Sequence, residues 1–138
     1  SIANQASSRR SVRESMELVS PLAGGVIVNQ FSPRSGSMGV SIASTADTQV
    51  VAIGEGTVIL TTWSPDDGYL VEVQHAGGLL SIYRNMTQSL VEVGQKLRAG
   101  QIVGYNADAT DEGNTPQLLQ FEIWSDGKPV DPESYIVF

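Results

Sequence analysis

A chain of 138 residues with a formal charge of −7, 41% hydrophobic and 17% charged, has the length of one domain and enough apolar residues to build a core without disulfides or metals. Eight basic against fifteen acidic residues exclude ordinary nucleic-acid binding, which needs a basic face against phosphates. No stretch approaches the roughly 20 apolar residues that span a bilayer, no secretory leader is expected within residues 1–20, and the lack of cysteine is compatible with an oxidising compartment without requiring one.

Residues 1–20 stand apart from the rest. They hold Arg9, Arg10 and Arg13, contain no glycine or proline, and carry Val12, Met16 and Val19 at helix-like spacing. A short helix or the end of a linker is expected there, closed by Pro21, which disfavours helix in the residue before it. From residue 21 onward five basic face thirteen acidic residues, so basic peptides or a basic protein patch suit this surface best.

Short alternating strands punctuated by glycine follow, at 26–28, 40–42, 49–53, 57–61, 69–73, 79–83, 101–104 and 118–124. Turns are predicted at 64–68, at 75–78 and at 125–128, where Asp126-Gly127 supplies the positive φ of a tight hairpin. The pattern predicts an all-β domain over residues 21–138. The acidic loop 106–114 has the alternating oxygen side chains of a calcium loop, but Asp111 and Gln117 stand where such a loop needs Gly and Glu. A solvated loop is the expectation.

Candidate chemistry is sparse. His75 is the single histidine, at a strand end before Ala76-Gly77-Gly78, and one imidazole makes neither a metal site nor an acid–base pair. Its ring is expected to bond a turn carbonyl and pack on the strand. No Gly-x-Ser-x-Gly elbow exists, and no second base is at hand to activate Ser37 or Ser41. Glu122 is the one carboxylate on a candidate groove strand.

The order of short motifs is more specific. Gly24, Phe31 and Arg34 mark an opening strand; Val50, Ala52, Gly54, Gly56 and Val58 mark a hairpin; Gly68, Val71, Val73, His75, Gly78, Ser81 and Tyr83 mark a strand pair. Residues 91–104 read as a turn-strand segment Val-x-x-Gly-x-x-Leu-x-x-Gly-x-x-Val-Gly, and residues 118–124 with Gly127 and Val130-Asp131-Pro132 close the series. In this order and spacing, residues 21–138 resemble the LytM/lysostaphin-type zinc peptidases of bacterial cell walls. The resemblance implies antiparallel β-sheets of the duplicated hybrid motif type, sandwich-like around a central groove.

It also implies where the family's chemistry would sit. The family's metal pair His-x-x-x-Asp falls on Ser37 and Ser41, the histidine of its Tyr-x-His segment on Asn85, and its His-x-His strand on Leu118 and Gln120. A catalytic zinc is held by His, Cys or carboxylate groups around one open position. Serine hydroxyls and a glutamine carbonyl are poor zinc donors, and leucine is none. The resemblance thus implies a pseudoenzyme with no metal and no cofactor. Its former catalytic positions Ser37, Ser41, Asn85, Leu118 and Gln120 are expected to form a binding groove, which Leu118, Leu119 and Met86 make less polar.

The implied role is binding an envelope protein, a peptidoglycan amidase among the candidates, and so regulating peptidoglycan hydrolysis on the periplasmic or exported side. Any anchoring segment is expected outside this chain, and the domain itself is not expected to span the membrane. The competing expectations are an active peptidoglycan endopeptidase with a non-standard site and a passive module that holds peptidoglycan peptides.

Overall fold

The computed structural model describes residues 18–45, 48–106 and 117–138. In chain order the strands are β1 (Val26–Asn29), β2 (Val40–Ala43), β3 (Gln49–Val51), β4 (Gly56–Ser64), β5 (Gly68–Gln74), β6 (Leu79–Met86), β7 (Gln88–Ser89), β8 (Lys96–Leu97), β9 (Ile102–Tyr105), β10 (Leu119–Ser125) and β11 (Lys128–Val130). Among the described residues, three single turns of 3-10 helix, at Pro33–Ser35, Ala76–Gly78 and Pro132–Ser134, connect them. No helix among the described residues is long and apolar enough to cross a membrane.

Every strand pair is antiparallel, as the alternating pattern predicts for sheets with one face on a core. The larger sheet has eight strands in the order β1-β2-β10-β6-β5-β4-β8, with β11 also on β10; the smaller runs β3-β9-β7. β10 lies at the centre of this arrangement. Its first half pairs with β2, its length with β6, and its end with β11.

Strand alternation decides which side chains of β10 reach the core. Leu119, Phe121 and Ile123 are fully buried, whereas Gln120, Glu122 and Trp124 occupy the opposite face. The same rule turns Val40 and Ile42 of β2 and Tyr83 of β6 inward. Tyr83 and Phe121 meet with ring centroids 5.4 Å apart, and Phe121 meets Phe138 edge-on at 6.2 Å. Val50 and Val103 bring the smaller sheet onto this core, which Leu22, Ala52 and Ile53 complete.

The Asp-Gly hairpin forms as its residues predict: Asp126 and Gly127 both have positive φ, 50° and 79°, and Ser125 pairs with Lys128 across the turn. Asn85 is the other non-glycine residue at positive φ among the described residues, 67°, and its N–H donates to the Asp67 carbonyl of the β4–β5 turn at 2.6 Å. Asparagine tolerates this conformation, so it holds the end of β6 against that turn at little cost.

Several elements differ from the sequence expectation. The short strands β7, β8 and β11 carry too few residues to show an alternation, and each exists because a longer strand offers its edge. The expected strand at 49–53 stops at Val51, and Ala52 exchanges hydrogen bonds with Gln101 and Gly100 in the turn that leads into β9. Residues 18–20 are not helical; the Val19 N–H donates to the Ile53 carbonyl. The rest of the expected N-terminal helix, and most of the acidic loop 106–114, lie outside the described residues.

Candidate functional site

The five expected groove residues form two adjoining clusters at the start of β10. Gln120 pairs with Ser41 on β2 and with Arg84 on β6, so all three side chains share the face away from the core. The Ser41 hydroxyl donates to Gln120 Oε1 at 2.7 Å. Ser37 donates to the carbonyls of Gln30 and Gly39, and lines with Gln120 a cavity of about 200 Å³ together with Met38, Arg84 and Glu122. One step along the chain, Asn85 Nδ2 donates to the Leu118 carbonyl at 2.9 Å, and Gln117 Nε2 donates to the Asn85 carbonyl at 2.7 Å.

The groove is more polar than expected. Leu119 and Met86 are buried in the core, because strand alternation sends Leu119 to the side opposite Gln120 and packs Met86 inward at the end of β6. Leu118 alone of the three is partly exposed. In place of an apolar lining stands a charge cluster that the sequence reading missed. Arg84 Nε bonds Glu122 Oε2 at 2.8 Å, Trp124 Nε1 donates to Glu122 Oε1 at 2.8 Å, and Arg84 Nη1 lies 3.7 Å from Asp67 Oδ1. Arg84 is an unmarked position of a Tyr-x-Asn segment, and only the β6–β10 register brings it beside Glu122.

These contacts limit the chemistry. Each oxygen of Glu122 already accepts from a fixed donor, Arg84 Nε on one side and Trp124 Nε1 on the other. Ser37 and Ser41 spend their hydroxyl protons on oxygen acceptors, backbone carbonyls for Ser37 and Gln120 Oε1 for Ser41. No group of three or more His, Cys, Asp or Glu side chains converges anywhere among the described residues. A cavity of about 200 Å³ is below the several hundred Å³ of a small-molecule pocket and matches the size of one inserted side chain. A larger open depression of about 640 Å³ lies away from these residues, against β4 and β8 beside Lys96 and Arg98.

His75 belongs to the core, as expected. Its Nδ1 lies 2.6 Å from the Glu55 carbonyl oxygen, and its Nε2 lies 2.7 Å from Ser81 Oγ. A carbonyl only accepts, so the neutral ring carries its proton on Nδ1 and takes the Ser81 hydroxyl proton at Nε2. Ser81 in turn shares a 3.1 Å hydrogen bond with the Tyr83 hydroxyl, which accepts from the Ile53 N–H. Burial holds the His75 pKa below its ordinary value, against the opposing pull of the Glu55 carbonyl, and pushes Tyr83 up to about 12. Ser81 and His75 resemble a nucleophile and its base, but Ser81 is fully buried and no substrate can reach it.

The fold is that of a lysostaphin-like antiparallel β domain. Residues 35–132 match Peptidase family M23, and the chain belongs to that family. Among curated proteins it is similar to murein hydrolase activator EnvC of Escherichia coli K12, 35% identical over 98 residues that cover 71% of this chain and 23% of that protein. It is also similar to stage II sporulation protein Q of Bacillus subtilis 168, 34% identical over 115 residues covering 80% of this chain and 40% of that one. The chain thus spans less than half the length of either relative. Among solved structures, a SpoIIIAH and SpoIIQ complex matches with a TM-score of 0.72 at 25% identity, covering 86% of this chain and 99% of the matched chain.

Proposed function

We propose that residues 21–138 act as a metal-free M23 domain that binds an envelope protein through the Ser37–Gln120 groove and thereby regulates peptidoglycan hydrolysis. The observation that carries this reading is the 2.7 Å hydrogen bond between Ser41 and Gln120. By the motif resemblance these two residues stand at metal-ligand positions, and here they satisfy one another, which supports a site without the open coordination position a zinc hydrolase needs. Two relatives support a binding role by their names: one is a hydrolase activator, the other has been solved in complex with SpoIIIAH. The partner's groove-facing surface is basic, to match an acidic domain, and presents a side chain small enough for the cavity beside Met38.

Elemental analysis after dialysis against zinc, run beside a muropeptide-release assay, tests the first half. Substoichiometric zinc and no release are expected; near-stoichiometric zinc with release identifies an active endopeptidase instead. Purified envelope amidases assayed on sacculi with and without the domain test the second half. Stimulation that is lost in Met38→Lys supports regulation, whereas sedimentation with sacculi and no effect on any amidase leaves a passive peptidoglycan-binding module.

A further inference from the structure

The two ends of the large sheet are built differently. At one end β8 is two residues long and carries Lys96, a short and charged edge of the kind that discourages strand addition. At the other end β1 reads Val-Ile-Val-Asn, with no charge and no proline, and pairs on one side only among the described residues. Val26 and Val28 are each 54% exposed, while Ile27 between them turns onto the core. The register shift against β2 falls between Ile27 and Asn29, so the Val26–Ile27 end keeps regular strand geometry. Backbone groups along such an edge that point away from β2 offer a template for one more strand.

Beside this edge lies a cleft of about 440 Å³. Ile27, Ile136, Val137 and Phe138 line it, Val137 is 93% exposed, and Glu133 adds an acidic side chain. We propose that the free edge of β1 and this cleft form a docking site for an extended segment of a protein partner, added to the sheet as an edge strand. Alternation fixes the chemistry of that segment. One side chain enters the cleft against Ile27 and Phe138 and is apolar, and the next covers Val26 or Val28 at the surface, where valine or threonine suits. A lysine or arginine at its end meets Glu133, and the five-to-thirteen excess of acidic residues over basic ones after residue 20 favours the same sign.

The acidic excess of residues 21–138 argues against a second copy of this chain as the occupant, since two acidic domains repel. The site is two strands away from Gln120 and does not rest on the groove reading.

The test uses the full chain and the probe peptide acetyl-Lys-Val-Thr-Val-Thr-Val-Lys-amide, followed by NMR shifts and amide exchange. Saturable shifts and slowed exchange confined to β1 and residues 133–138 are expected. Methylating alternate peptide nitrogens on the pairing side, or the double substitution Val26→Lys with Val28→Lys, should weaken binding at least tenfold, while Met38→Lys in the groove leaves it unchanged. The methylated peptide keeps the test valid even if the double variant folds poorly. Three results overturn the proposal: no response of β1 amides at millimolar peptide, equal binding of the methylated peptide, or β1 protection that appears without peptide and rises with protein concentration, which would mark a homodimer edge.

Discussion

Tyr83→Phe removes a single oxygen from the centre of the molecule and gives the sharpest test of the buried relay. That oxygen accepts from the Ile53 N–H at 3.1 Å and shares a bond of the same length with Ser81, in a setting where Tyr83, Ser81 and Ile53 are all fully buried. The ring itself stays, so the packing on Phe121 at 5.4 Å is retained and the loss is almost purely polar. An orphaned buried backbone donor costs about 1–3 kcal/mol, and Ser81 loses its donor as well. A total near 2–3 kcal/mol follows, equivalent for a domain of this size to a fall in Tm of roughly 6–12 °C.

Urea unfolding followed through Trp63 and Trp124 measures it, provided the slope m stays unchanged. Tyr69→Phe is the control, since Tyr69 is 38% exposed and a surface change should stay within about 0.5 kcal/mol. If Tyr83→Phe costs no more than Tyr69→Phe, the hydroxyl is not a structural junction and the proton arrangement assigned to His75 and Ser81 is wrong.

Acid should weaken the fold through His75. Its folded pKa lies below the unfolded value of 6.5, so below that pH the unfolded chain binds more protons. The stabilisation is complete above pH 6.5 and is lost as pH falls toward the folded pKa; a pH series of midpoints should show this slope in the native chain and not in His75→Asn. Gly39→Ala should destabilise by more than about 2 kcal/mol, because an added Cβ overlaps the Phe121 carbonyl oxygen and lies 2.9 Å from its carbon, a backbone that cannot swing aside. Thermal melts give the number, and a normal Tm would mean that β2 and β10 separate freely. Glu122→Gln should cost about 1–2 kcal/mol, because Arg84 is 31% exposed and partly screened by water while Glu122 is only 12% exposed. A double-mutant cycle with Arg84→Ala isolates the pair, and a coupling near zero would show that Trp124 alone holds Glu122. Restoring the family ligands in Ser37→His, Ser41→Asp and Gln120→His together should confer zinc retention near one ion per chain by elemental analysis; failure would show that the three positions do not converge as the motif alignment requires.

The sequence by itself determined the fold class and the family. Alternation along residues 118–124 and the glycine-punctuated motifs are local signals, and they suffice because a strand buries every second residue wherever it ends up in a sheet. The lack of zinc donors at Ser37, Ser41, Leu118 and Gln120 was equally legible, since donor strength belongs to the residue type. The bond from the His75 ring to a turn carbonyl was expected from its place at a strand end, whereas its bond to Ser81 was not.

What the sequence left open depended on which strands become neighbours. Arg84 and Glu122 are 38 positions apart, and only the β6–β10 register makes them a pair. Leu119 and Met86 read as groove residues because apolar character in a one-dimensional string does not say which face it lines. Strand pairing fixes that face, and here it sends both to the core. The unequal edges at β1 and β8 belong to the same class: an edge is a strand that lacks a neighbour, a property of the assembled sheet that no single segment carries.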